Sequence, residues 1–183
     1  MKQFFSSVLE IIEVTAVAFA AVFLIRSYIV QPFLVSGSSM VPTFSDGDYL
    51  LIDELTYRFR APERGEVVVF RYPKNESVYF IKRVIGLPGE KVQINKSQIT
   101  VFNEENRNGI VLDEKYLSEN SAIPGDGEFK VPEDSYFVLG DNRAYSYDSR
   151  NWGVLPKSDI VGLVQFRLWP PGDLKVFAAP SYK

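Results

Sequence analysis

Three groups of residues in this chain are of types and spacings that could do chemistry together. The first is the turn-forming stretch "SGSSMVPT", Ser36 to Thr43, in which Ser38 and Ser39 are candidate nucleophiles. A serine hydroxyl attacks poorly until a neighbouring base takes its proton. The usual base is histidine, and the chain contains no histidine and no cysteine. Those absences exclude a Ser-His-Asp triad, thiolate catalysis, disulfides and histidine- or cysteine-bearing zinc sites. A hydrolase built on this sequence must use lysine, carboxylates, or a hard metal held by oxygen ligands. The alternative for this stretch is a plain turn.

Lysine serves as a base only when neutral. Its ordinary pKa is about 10.4, and burial in apolar surroundings can lower it by as much as 3–5 units. A fall of roughly three units corresponds to about 4 kcal/mol of destabilisation of the ammonium. The useful lysine therefore belongs inside a hydrophobic strand, away from carboxylates. Lys82 in "VYFIKRVIG" meets that condition. Strand alternation places Phe80, Lys82 and Val84 on one face and Arg83 on the other. The alternative is an edge-strand lysine that guards against aggregation. Lys74, Lys96 and Lys157 lie in polar loops, as ordinary solvated charges do.

The third group is "GDNRAYSYDSRNWGVLP", Gly140 to Pro156. Asp141, Arg143, Asp148 and Arg150 alternate in sign around Ser146. One reading is a loop pinned by ion pairs that presents Ser146 to a site. The other is a surface turn whose salt bridges are worth little. The interleaved arginines do not suit a metal cage, which wants clustered acids.

Around these groups the chain reads as one domain plus an appendage. It has 183 residues, 46% hydrophobic and 23% charged, which argues against wholesale disorder. Net charge is −3, so no global positive field favours nucleic acid as a partner. Residues 8–30 form an apolar segment, but only Val14 to Ile25 run without a charge. A bilayer core needs roughly 20 apolar residues. The apolar flanks lengthen the run, and Arg26 can snorkel at its end. A single membrane anchor is the leading reading, beside an interfacial helix and a buried core helix. A cleaved signal peptide is disfavoured because its basic region would be Lys2 and the terminal amine. After Pro32 the pattern shifts to period two, in short runs rich in Val, Ile, Phe and Tyr bounded by Asp46-Gly47, Arg64-Gly65 and Pro88-Gly89. A hairpin is expected about Asn95-Lys96-Ser97. The result is a mostly antiparallel β domain on an N-terminal helix, with the polar residues 90–133 read as an insertion or cap.

Taken in order and spacing, "SGSSMVPT", "RGEVVVFRYP", "FIKRVIGLPGE" and "GDNRAYSYDSRNWG" resemble the signature boxes of bacterial type I signal peptidases, membrane-anchored serine proteases with a Ser/Lys dyad. The resemblance implies an antiparallel β catalytic core of the signal peptidase and self-cleaving repressor type. Its parts would be an anchor helix (1–31), the core (32–89 and 134–183) and an inserted β cap (90–133). It implies Ser39 as nucleophile, Lys82 as general base and Ser146 as the hydroxyl that hydrogen-bonds the lysine amine. Asp141, Arg143, Asp148 and Arg150 would support the site. Phe33, Val35, Met40, Leu50, Val69 and Ile81 would wall shallow pockets for small residues at −1 and −3. Ile81 is the awkward member, since on a regular strand it faces away from Lys82. Some family members carry a serine two positions before the nucleophile as an oxyanion donor. Here Gly37 stands there, which leaves the second donor open.

The implied substrates are signal peptides of exported preproteins. The implied location is the cytoplasmic membrane, single-pass, with the β domain on the extracytoplasmic side. Phe33, Leu34, Trp152 and Trp169 are candidates for lipid contact. Neither a cofactor nor a metal is expected. A self-cleaving repressor would carry a basic DNA-binding region in place of the apolar segment. A membrane-tethered β module that binds without catalysis is the competing class.

Overall fold

Strand-forming residues dominate the chain after Pro32, and a computed structural model turns them into two antiparallel sheets. It describes residues 7, 9–20, 30–117, 122–180 and 182. Residues 9–20 are helical (α1) and exposed throughout, which sets aside the buried core helix for this stretch. Among the described residues no helix is long and apolar enough to cross a membrane. Residues 21–29, which complete the expected anchor, lie outside the described residues.

The larger sheet is assembled from β1 (Val30–Leu34), β2 (Tyr49–Asp53), β3 (Val67–Tyr72), β4 (Asn75–Gly86), β9 (Ser135–Leu139), β10 (Leu155–Pro156), β11 (Ile160–Trp169) and β12 (Lys175–Val176). Its order is β1-β2-β11-β3-β4-β9-β10, with β12 on β11. The smaller sheet has the order β7-β6-β5-β8, from β5 (Lys91–Asn95), β6 (Gln98–Phe102), β7 (Ile110–Val111) and β8 (Gly127–Lys130). The helices after residue 32 are short: α2 (Thr56–Phe59), α3 (Ser149–Trp152) and two single 3₁₀ turns. The β5–β6 connection is tighter than expected. Asn95 pairs with Gln98, and the turn is Lys96-Ser97, both at positive φ, as a two-residue hairpin that follows strand twist demands.

Period two explains which strands are buried on one face and which on both. In β5 and β6, Val92, Ile94, Ile99 and Val101 are buried while their neighbours are not. In β9 every residue is buried. Tyr136 and Val138 pack with Val68, Phe70 and Val84, and Phe137 and Leu139 pack with the small sheet's apolar face. The 90–133 segment therefore shares a core with β4 and β9, although its loops are polar. A third cluster joins Val35, Met40, Phe44, Leu50, Ile52, Val67, Val69 and Val164. Trp152 is a correction: it is only 8% exposed and packs against Phe70 and Tyr72, not toward lipid. Leu34 and Trp169 are exposed.

Candidate active site

The "SGSSMVPT" stretch occupies the connection between β1 and β2. Val35 N–H donates to Asp48 O at 2.9 Å and Gly47 N–H donates to Val35 O at 3.0 Å, closing the base of the loop. Phe44 and Met40 plug its interior, each at most 1% exposed. The backbone at position 37, with φ of +94°, favours glycine. These constraints leave Ser39 half-buried at the rim of a cavity.

Lys82 reaches that rim from β4. It is 3% exposed, and its Nζ donates to Ser39 Oγ at 2.7 Å and to Ile81 O at 2.7 Å. Burial pushes its pKa down to about 8, against Asp148 and Asp141, which pull it up. The lysine is thus not remote from carboxylates, as the sequence suggested it should be. Desolvation outweighs them because both carboxylates are committed to arginines. Asp141 takes Arg83 Nε at 2.8 Å and Nη2 at 2.5 Å, and Asp148 takes Arg150 Nε and Nη2, each at 2.8 Å. Asp148 also caps α3 and accepts from Gly140 N–H at 3.1 Å. Ile81 resolves as a backbone contact: its carbonyl holds Lys82 while its side chain packs beside the Val35 and Val69 cluster.

Two expectations need correction. Ser146 Oγ is buried without a hydrogen-bond partner among the described residues, so the expected bond to the Lys82 amine is not made. Met40 lies in the core and is not among the residues lining the cavity. That cavity, about 320 Å³, is lined by Phe33, Val35, Leu50, Val69 and Ile81, with Ser39 and Lys82 at its wall. Tyr79, Tyr145 and Tyr147 line it too and were not foreseen. Arg143 does not pair within its own loop; Glu114 takes its Nη1 and Nη2, each at 2.6 Å. Thr43 and Asn142 were also missed. Thr43 Oγ1 donates to Asp141 Oδ2 at 2.5 Å, and Asn142 N–H donates to Ser39 O at 3.0 Å. The "MVPT" and "GDNR" stretches were quoted for other members, and nothing local marked these two as partners across the site.

For developing negative charge the useful donors are backbone amides. Among the described residues the Ser39 N–H donates to no protein acceptor. The Gly37 N–H is already given to Asp46 Oδ1 at 2.7 Å. No group of three or more His, Cys, Asp or Glu among the described residues is placed to hold a metal ion.

A serine held by a buried, partly neutral lysine can attack a carbonyl. Comparison with known proteins places the chain in a family. A family model described as "Signal peptidase, peptidase S26" matches residues 8–169. A probable signal peptidase I-2 of Synechocystis is 42% identical over 151 residues, 80% of this chain and 66% of its own length. Signal peptidase IB of Staphylococcus aureus is 37% identical over 185 residues, 92% of this chain and 93% of its own. The crystal structure of a signal peptidase I from Enterococcus faecalis is 32% identical, covers 58% of this chain and 98% of its own, and superposes with a TM-score of 0.49. The chain belongs to the signal peptidase family, peptidase S26.

Proposed function

We propose that this protein is a membrane-bound serine endopeptidase that removes signal peptides from exported preproteins, with Ser39 as nucleophile and Lys82 as general base. The observation that carries the reading is a buried lysine nitrogen 2.7 Å from a serine oxygen. With a pKa of about 8, about one Lys82 in ten is neutral at pH 7, against about one in 3,000 at the ordinary 10.5. Once Lys82 is neutral, its lone pair accepts the Ser39 proton along the same line. Ser39 Oγ attacks the scissile carbonyl, and the oxyanion meets the free Ser39 N–H. The protonated lysine passes its proton to the leaving amine, and water, activated by Lys82, releases the acyl group. The bond to Ile81 O fixes the nitrogen for both steps.

The cavity offers apolar walls to substrate side chains. Its apolar walls at Phe33, Val35, Leu50, Val69 and Ile81 enclose about 320 Å³. Among the described residues β1 pairs only with β2, and β4 between Tyr79 and Lys82 pairs only with β3, so both offer backbone edges beside the cavity. An extended substrate can hydrogen-bond to such edges and send alternate side chains into the walls. We place residues 1–31 as a single-pass anchor in the cytoplasmic membrane and the β core on the extracytoplasmic side. An anchor raises the effective concentration of enzyme near cleavage sites that emerge at the bilayer.

The test is cleavage of a preprotein with an Ala-x-Ala site by the full chain in detergent. Ser39→Ala and Lys82→Ala are expected to abolish cleavage while keeping the native circular dichroism spectrum. Cleavage retained in either variant overturns the assignment. Failure of the wild type to cleave favours a tethered binding module.

A further inference from the structure

We propose that Glu114 is a positioning residue for the Ser39–Lys82 pair, so that the polar segment outside the main sheet helps to set the site. This inference rests on the peptidase reading above.

Glu114 lies in the loop after β7, and its side chain is 12% exposed. Its two oxygens meet the two terminal nitrogens of Arg143 at 2.6 Å each, the paired geometry that fixes a guanidinium plane as well as its charge. The Arg143 side chain is fully buried. Its Nε donates to Gly140 O at 3.0 Å, and Nη2 also reaches Tyr116 OH at 3.1 Å. All three nitrogens are therefore committed, and Glu114 is the carboxylate that pairs with them among the described residues. Asp141 is not free to substitute, because Arg83 occupies both of its oxygens.

What Arg143 holds is the floor of the site. Gly140 sits against Ser39 and Ser146 so closely that a Cβ there would overlap Ser146 Oγ and lie 2.5 Å from Ser39 O. Two residues along, Asn142 N–H donates to Ser39 O at 3.0 Å and Asn142 Nδ2 donates to Ser38 O at 3.1 Å. One side of the 140–143 turn grips the nucleophile's loop, and the other side is held by Glu114. Without Glu114, the buried Arg143 charge must draw in water or pull Asp141 away from Arg83. Either response shifts the turn, and with it the Ser39 carbonyl and the carboxylate that faces Lys82.

The experiment compares full-length wild type, Glu114→Gln, Glu114→Asp and the double variant Glu114→Gln/Arg143→Gln in detergent, with Ser39→Ala as the reference. It reads kcat, KM, the pH dependence of kcat/KM and the melting temperature. Glu114→Gln should lower kcat roughly tenfold or more, as small misplacements of reacting groups do. KM should stay within about twofold, since the cavity walls are untouched. The acid limb of the pH profile should move, and Glu114→Asp should recover most of kcat. The double variant removes the unpaired buried charge, so its melting temperature should recover while kcat stays low. A folded Glu114→Gln with wild-type kcat overturns the proposal. So does a double variant in which kcat recovers with stability, or a loss of kcat that only tracks the folded fraction without moving the pH profile. If Glu114→Gln does not fold, the double variant decides. Cleavage by Ser39→Ala would instead overturn the peptidase reading, whatever Glu114 does.

Discussion

Replacing Lys82 with methionine should make the protein more stable at neutral pH and less stable in alkali. The folded pKa of Lys82 is about 8, against an ordinary value of 10.5. Below pH 8 the lysine is charged in both states, and the folded state bears the cost of burying it. Between pH 8 and 10.5 the folded state releases the proton while the unfolded state keeps it, so wild-type stability rises with pH. At about 1.4 kcal/mol per unit, the gain totals about 3.5 kcal/mol. Methionine has a similar volume and no charge, but it leaves Ser39 Oγ and Ile81 O without their shared donor. Each lost hydrogen bond costs about 1 kcal/mol. The variant should therefore be more stable than wild type by roughly 1–2 kcal/mol at pH 6–7 and less stable by a similar amount above pH 10.5. Urea melts of both proteins at several pH values read this difference. The buried tyrosines Tyr57 and Tyr116, whose pKa values burial raises, titrate in both proteins and cancel in the subtraction. Parallel stability curves from pH 6 to 10.5 would refute the claim that the Lys82 ammonium is destabilised by burial.

Other outcomes follow from neighbouring contacts. Gly140→Ala has no room for its Cβ between Ser146 and Ser39. It should lose about 1–3 kcal/mol of stability and nearly all cleavage, read by thermal melt and peptide assay. Asp141→Asn strands the Arg83 charge, which is 5% exposed, and should cost roughly 3–5 kcal/mol, or about 10 °C in melting temperature. Leu50→Phe narrows the cavity beside the Ser39–Lys82 pair and should raise KM for an Ala-x-Ala peptide about tenfold while leaving the Ser39–Lys82 bond intact.

The residues that announce chemistry in the sequence do so by standing against their surroundings. Lys82 is legible because a charge interrupts an apolar run, and burial is what that pattern means. The strands are legible from their alternation, and β9 from its lack of it, since both of its faces are covered. The partners of the charges are not legible, because they come from distant turns. Arg83 finds Asp141 because Arg83 pairs with Leu139 across β4 and β9, two residues before the aspartate. Inside "GDNRAYSYDSR" two acids and two bases balance, so nothing pointed to Glu114, some thirty residues earlier. Ile81 faced the wrong way only while its side chain was considered; its carbonyl does the holding. The lysine-bonding role of Ser146 and the wall position of Met40 came from resemblance alone. The resemblance fixed neither a hydrogen bond for the first nor a place on the cavity wall for the second.

The most direct measurement of the central claim is the pH dependence of kcat/KM for an Ala-x-Ala peptide cleaved by the wild-type protein. A neutral Lys82 as base predicts that the rate climbs tenfold per pH unit and levels off with a midpoint near 8. A profile flat from pH 6 to 10, or one that rises only as solvated lysines titrate near 10.5, contradicts it.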